Sequence, residues 1–243
     1  MKAVILAAGI ASRLRPLTND RPKCLLQIGD RSLLQRSVDA LLQQGVKEFV
    51  VVTGYRKEQI EAFLKQQYKG ASFTFIFNER YASTNNIYSL YLARPEVEGQ
   101  EILLLDSDIV FDPLIVERLL GSDHGNVLAL NRHPLGEEEM KVVPDLEGKV
   151  KEISKTCAIS DAIGESIGIE RMSEAYTAAL FKELELMIEK EGQDNIFYER
   201  AFERLIPQGH TFWIEDTSDL FSTELDTVED FNSAKDLIPA HLY

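Results

Sequence analysis

The 243-residue sequence holds only two cysteines, Cys24 and Cys157. Two isolated thiols build no disulfide framework and no paired zinc-ligand spacing. Its four histidines, at 124, 133, 210 and 241, are scattered and form no ligand pair, so none is assigned a role. No apolar run reaches the ~18 residues that a membrane span requires. The opening stretch Ala3-Val4-Ile5-Leu6-Ala7-Ala8-Gly9 runs straight into Ser12-Arg13-Leu14-Arg15. It reads as a buried strand, not a targeting segment, and a cytoplasmic protein without membrane attachment is expected. Neither a Walker A motif nor G-x-G-x-x-G is present, which removes P-loop and dinucleotide-binding chemistry. Cations are outnumbered, 26 Lys and Arg against 40 Asp and Glu, for a net charge of −14. That balance excludes a general nucleic-acid binder. No linker rich in Pro, Gly or Ser, no repeat and no low-complexity tract divides the chain, so a single domain over 1–243 is expected.

The scarce cations are unevenly placed. Residues 1–69 carry 12 Lys and Arg against 6 Asp and Glu, whereas the rest of the chain carries 14 against 34. Arg13, Arg15, Arg21 and Lys23 lie within eleven residues. A basic segment inside an acidic protein suggests a local anion site, with a solvated loop as the plain alternative.

Apolar patterning predicts strands at 3–7, 48–53, 72–77, 101–105 and 126–131. Between them, helical spacing marks 32–44, 57–67, 84–93 and 113–120. Such alternation calls for a parallel sheet with helices on both faces. Beyond residue 131 the pattern changes. Short strands are expected at 140–143, 150–154, 166–170, 211–214 and 223–225, and helices at 174–191, 194–206 and 228–237. The expected division is an α/β core over 1–131, a substrate-facing inserted lobe over 132–226 and a C-terminal helical segment over 227–243.

In an open parallel sheet, ligands sit beyond the carboxyl ends of the strands. The first such end is Ala7-Ala8-Gly9-Ile10-Ala11-Ser12-Arg13. Its small residues let a ligand approach the backbone, and free N–H groups there form an anion-binding concavity. Arg13 adds a bidentate fork for phosphate and Lys23 a point charge. A second strand end, Leu103-Leu104-Leu105-Asp106-Ser107-Asp108, presents two carboxylates suited to Mg²⁺, which takes one or two of them and keeps waters. Asp108 is read as a metal ligand and Asp112, before Pro113, as a helix cap. Glu224 and Asp226 share one face of a short strand. For Asp226 a metal role and a cap on the following helix both remain open.

Together, Ala7-Ala8-Gly9…Arg13-Leu14-Arg15-Pro16-Leu17-Thr18…Pro22-Lys23 resembles the signature of the nucleoside-triphosphate:sugar-1-phosphate nucleotidyltransferases. Asn85-Asn86-Ile87-Tyr88-Ser89-Leu90, with Gly54-Tyr55, Asp106-Ser107-Asp108, Gly164–Ile169 and Glu224-Leu225-Asp226, is similar to the bacterial phosphocholine cytidylyltransferase branch, which also holds 2-aminoethylphosphonate enzymes. The resemblance implies an α/β, Rossmann-like, mostly parallel mixed sheet with helices on both faces, in the GT-A-like nucleotidyltransferase arrangement. It implies joining of CTP to a small phosphate or phosphonate monoester with loss of pyrophosphate. One departure stands out: the family loop reads Gly-x-Gly-x-Arg, and here the second glycine is Ala11. A methyl group is poorly tolerated there if the position needs positive φ.

The same resemblance implies roles. Arg13 would meet the triphosphate and Lys23 the reacting phosphoryl groups. Asp108 and Asp226, supported by Glu224, would hold Mg²⁺. Ala8, Gly9, Ala11, Gly54, Asn86 and Asp106 would face the nucleotide. Lys141 is a candidate for the acceptor's phosphoryl group. Tyr198 and Glu199 would meet a cationic acceptor end, whereas Phe197 and Phe202 read as core. A monomer or homodimer is expected. Three rivals stand. A glycosyltransferase would share the Asp-x-Asp but has no need of the Arg13…Lys23 loop. A non-catalytic nucleotide-binding regulator would not need to keep Lys23 and Asp108. A sugar- or inositol-phosphate acceptor is the alternative within the enzyme reading.

Overall fold

The computed structural model describes residues 1–242. Its strands are β1 Lys2–Ala7, β2 Gln27–Ile28, β3 Arg31–Ser32, β4 Glu48–Thr53, β5 Ser72–Phe77, β6 Ile102–Asp106, β7 Ile109–Phe111, β8 Val127–Asn131, β9 Lys141–Pro144, β10 Val150–Ser154, β11 Gly164–Met172, β12 Trp213–Asp216 and β13 Ser222–Glu224. Its helices are α1 Leu33–Gln43, α2 Lys57–Gln67, α3 Asn86–Leu92, α4 Arg94–Val97, α5 Leu114–Gly121, α6 Glu174–Glu185, α7 Glu199–Leu205 and α8 Val228–Leu237. Residue 243, part of the expected C-terminal segment, lies outside the described residues.

Among the described residues nine strands form one sheet in the order β10-β9-β11-β6-β1-β4-β5, with β8 pairing both β11 and β12. The pairs β6–β1, β1–β4, β4–β5 and β8–β12 are parallel. β11 runs antiparallel to β6, β8 and β9. The sheet is therefore mixed and mostly parallel at its centre, with β9–β11 continuing it.

The central strands are apolar on both faces because both faces are covered. Val4 and Leu6 of β1 pack on one side with Val50, Val52, Leu104, Tyr176, Phe181 and Phe202. Ala3, Ile5 and Ala7 point the other way, against Phe49, Leu34, Val38, Leu41, Ile60 and Ile115. A smaller cluster seats α8 on the β2–β3 hairpin and the start of α1 through Ile28, Leu33, Leu225, Ala234 and Ile238. Thr227 opens α8 with a capping box: its hydroxyl accepts from the Asp230 N–H at 3.1 Å, and Asp230 accepts from the Thr227 N–H at 2.7 Å. The cap on α8 is thus Thr227, which leaves the neighbouring Asp226 carboxylate for other partners.

Candidate active site

A cleft of about 520 Å³ opens beyond the carboxyl ends of β1 and β6. Eleven of the residues singled out in the sequence line it: Ala8, Gly9, Ala11, Arg13, Lys23, Asn86, Asp106, Asp108, Glu199, Glu224 and Asp226. Chain crossing at a strand end brings together groups as far apart in sequence as Arg13 and Asp226.

The loop after β1 turns sharply at Ala11, whose φ of 51° is left-handed. The Thr18 hydroxyl donates to the Ala11 carbonyl at 2.9 Å and holds the loop closed. The position therefore does need positive φ, and alanine occupies it at a cost of roughly 1–2 kcal/mol.

Lys23 is the hub. Its ammonium donates to Asp226 Oδ1 at 2.6 Å and Asp108 Oδ2 at 3.0 Å. Arg13 Nη2 reaches Asp226 Oδ2 at 2.5 Å. Burial pulls the ammonium's pKa down, but the charges of Asp108 and Asp226 outweigh it, and Lys23 stands above its ordinary value. Burial likewise pushes Asp226 up, and Lys23 and Arg13 overcome that to hold it below the usual carboxylate range. Asp108 Oδ1 is buried and has no hydrogen-bond partner. Among the described residues no three histidine, cysteine or carboxylate side chains converge as a metal site. The expected trio of Asp108, Asp226 and Glu224 is therefore not gathered as one ligand set. Two carboxylates with one free buried oxygen still suit a hard divalent cation that keeps its waters.

Asp106 is held from behind. The Tyr198 hydroxyl donates to its Oδ2 at 3.0 Å. Gly168, at φ 71°, brings β11 so close that a Cβ there would lie 2.8 Å from the same oxygen. Burial, then the charges of Asp108, Glu199, Glu170 and Glu224, push Asp106 well above its ordinary value. Asn86 opens α3, where the Asn85 side chain caps the helix, and its Oδ1 accepts the Tyr198 N–H at 3.0 Å.

Three expected site residues stand outside the cleft wall. Gly54 lies behind Ala8: a Cβ there would meet the Ala8 carbonyl at 2.4 Å, so it acts by letting β4 and the β1 loop touch. Lys141 is buried, and its ammonium donates to the carbonyls of Gly136, Glu137 and Glu139 at 3.0, 3.3 and 3.3 Å. It fastens the preceding loop instead of facing a ligand. Tyr198 is fully buried between Asp106 and Phe202, a support and not a contact. Phe197, read as core, is instead 41% exposed and lines the cleft, whereas Phe202 is core as expected.

The wall also contains residues to which the sequence reading gives no role. Lys155 projects just past β10, its ammonium 4.7 Å from the centre of the Phe197 ring. Glu138, Glu139, Glu165 and Ser166 face the same end of the cleft. Lys155 follows β10, an edge strand antiparallel to β9, so the rule for the carboxyl ends of parallel strands does not point to it. Asn78 donates to the Ser89 hydroxyl at 3.1 Å on the opposite side; Ser89 belongs to the Asn85–Leu90 segment, whereas no sequence motif marks Asn78. Glu199 is 6% exposed, its Oε2 without a partner, and burial pushes it up to about 7.

The family model described as the MobA-like NTP transferase domain matches residues 3–204. A choline-phosphate cytidylyltransferase of Streptococcus pneumoniae is 38% identical over 107 residues, 44% of this chain and 45% of that protein. A CMP-5'-(3-aminopropyl)phosphonate synthase of Streptomyces rubellomurinus is 29% identical over 96% of this chain and 38% of its own length. The chain thus spans less than half the length of these two curated relatives. The solved CTP:phosphocholine cytidylyltransferase of Streptococcus pneumoniae (LicC) superposes with a TM-score of 0.82 at 22% identity, over 98% of this chain and 99% of that one. That likeness establishes the fold.

Proposed function

Because this chain belongs to the family of MobA-like NTP transferase domains, we propose that it is a cytidylyltransferase that joins CTP to a small phosphate or phosphonate monoester with a cationic nitrogen. Phosphocholine and 2-aminoethylphosphonate are the acceptors considered. The observation that carries this reading is the meeting of Lys23 and Arg13 with Asp108 and Asp226 in one cleft whose far end holds Glu199 and Phe197. The nucleotide preference draws on the relatives, one named for choline phosphate and one for an aminopropylphosphonate.

In the reaction, an anionic oxygen of the acceptor attacks the α-phosphorus of CTP. The new P–O bond forms as the bond to the bridging α–β oxygen breaks, and pyrophosphate leaves with that electron pair. The nucleophile is already ionised, so no general base is required. Catalysis rests on positioning and on neutralising charge around the α-phosphate. The backbone of Ala8–Ala11 cradles the nucleotide, and Arg13 meets the triphosphate. Lys23, already charged and fixed between two carboxylates, offers its ammonium to the phosphoryl oxygens. Asp108, with its free buried oxygen, and Asp226 would hold Mg²⁺, Glu224 standing beside them. When bound, the ion would supply Lewis-acid stabilisation of phosphoryl charge. At the acceptor end, Lys155 replaces Lys141 as the cation within reach of the acceptor's phosphoryl group, and Glu199 faces its ammonium.

A pyrophosphate-release screen of four nucleoside triphosphates against a panel of phosphomonoesters and phosphonates tests this reading. Turnover of CTP with an amino-alcohol phosphate or aminoalkylphosphonate is expected. Turnover confined to sugar or inositol phosphates would assign another acceptor class, and pyrophosphate release with no acceptor in the panel would refute it.

A further inference from the structure

The acceptor end of the cleft offers two means of holding a cation, and they select different chemistry. A quaternary ammonium has no N–H to donate and is recognised by several aromatic faces around it. An amine that keeps its N–H bonds needs hydrogen-bond acceptors. Among the described residues only two aromatic side chains line the cleft, Tyr81 and Phe197. Tyr81 belongs to the nucleotide side, where it packs beside Gly54 and Tyr55. Phe197 stands alone at the acceptor end, and its face already carries the Lys155 ammonium at 4.7 Å. Tyr198, the adjacent ring, is fully buried behind Asp106. No aromatic cage is assembled there among the described residues.

Acceptors, by contrast, are plentiful, although Glu165 is engaged by His133 at 2.8 Å and Glu139 by the Gly136 N–H at 2.8 Å. Glu199 is nine-tenths buried yet lines the cleft, and its Oε2 has no hydrogen-bond partner. The carboxylates of Glu138, Glu139 and Glu165 stand around the same space. Glu138 takes only a 3.5 Å contact from Lys155. A buried carboxylate oxygen without a partner is an expensive feature, and a ligand N–H that reached the Glu199 carboxylate from the cleft would relieve it.

We propose that the acceptor's basic group is an amine carrying at least one N–H, donated to Glu199, and not a quaternary ammonium. The proposal rests on the cytidylyltransferase reading above and narrows its substrate class to aminoalkyl phosphates and phosphonates. Glu199 is then a specificity-determining residue, because a methyl group in place of the last N–H leaves its oxygen unpaired.

The test is a graded acceptor series with saturating CTP: phosphoethanolamine, its N-methyl and N,N-dimethyl forms, and the trimethylated phosphocholine, with ethyl phosphate as the amine-free control. The kcat/KM should fall on methylation and drop by at least about tenfold at the last step, where the final N–H is lost. In Glu199→Gln that last drop should shrink, since the neutral amide no longer favours an ammonium. Phosphocholine used as well as or better than phosphoethanolamine would overturn the proposal while leaving the cytidylyltransferase reading intact. An undiminished drop in Glu199→Gln would also overturn it, by taking the discrimination away from Glu199. If no amine of the series surpasses ethyl phosphate, the amine-acceptor reading itself fails, and this inference with it. The series on the unaltered protein decides the main point even if the variant is unstable.

Discussion

Lys23, Asp108 and Asp226 depend on one another, so their variants should differ in kind. An ammonium that meets charge growing in the transition state contributes to kcat more than to binding. Lys23→Ala should therefore lower kcat by about 10²–10³ with a smaller change in the KM for CTP. Lys23→Arg should restore little, because a planar fork does not replace a compact charge between two carboxylates. Asp108→Asn should nearly abolish Mg²⁺-supported pyrophosphate release while the melting temperature holds; full activity in chelator would end the metal assignment. Glu199 adds a pH dependence. Burial raises its carboxyl to about 7, so it loses its charge as pH falls through that value. The acceptor KM should rise below about pH 7, while the KM for CTP stays level. Much of this was legible from the sequence, because strand-end position and charge type point to the same residues. Tyr198 and Lys141 were misplaced for a common reason. A polar tip on a long side chain suggests solvent or ligand, but here each tip finds its partner inside the protein. Phe197 failed in the opposite sense, since helical spacing does not say which face a short segment buries.

At the level of elements, the cap of α8 and the Asp226 carboxylate, which pairs with Lys23 and Arg13, are neighbours in sequence. Thr227→Ala should cost about 1 kcal/mol of stability. It should also lower kcat, because the Asp226 N–H is tied to the same Asp230 carboxylate at 3.2 Å. A urea titration and steady-state rates would check both. In β11, Gly168→Ala would force a methyl against Asp106 and require an unfavourable positive φ. A lower urea midpoint and a raised KM for CTP are expected. The strands at 48–53, 72–77 and 150–154 and the helices at 57–67 and 228–237 were read with their observed limits. Each has a clear period and a marked boundary. The short strands β2, β3 and β7 were not seen, because two or three residues carry no period. The antiparallel course of β11 was equally hidden, since strand direction is set by where the chain can return and not by which residues are apolar.

For the molecule as a whole, Glu170 imposes a limit on alkaline stability. It is fully buried, with Oε1 accepting only from the Ser166 hydroxyl at 3.1 Å and Oε2 unpartnered. Burial, then the charge of Glu199, holds its carboxyl well above the usual range. A group whose pKa is raised on folding stabilises the fold below its unfolded value, about 4.3, and loses that contribution as pH rises toward the folded one. Glu170→Gln should therefore flatten the decline in melting temperature between pH 5 and 8. On substrate choice, CTP should exceed ATP and GTP in kcat/KM; a purine preference would move the protein to another branch of its family. One feature bears on how such a protein could change its acceptor. Residues 197–199 alternate: Phe197 and Glu199 look into the cleft, while Tyr198 between them anchors Asn86 and Asp106. The two outward positions can thus be exchanged while the middle one keeps its hydrogen bonds to Asn86 and Asp106. A new acceptor preference could be grafted by two substitutions around a fixed pivot, which makes this tripeptide the natural place to begin a directed library.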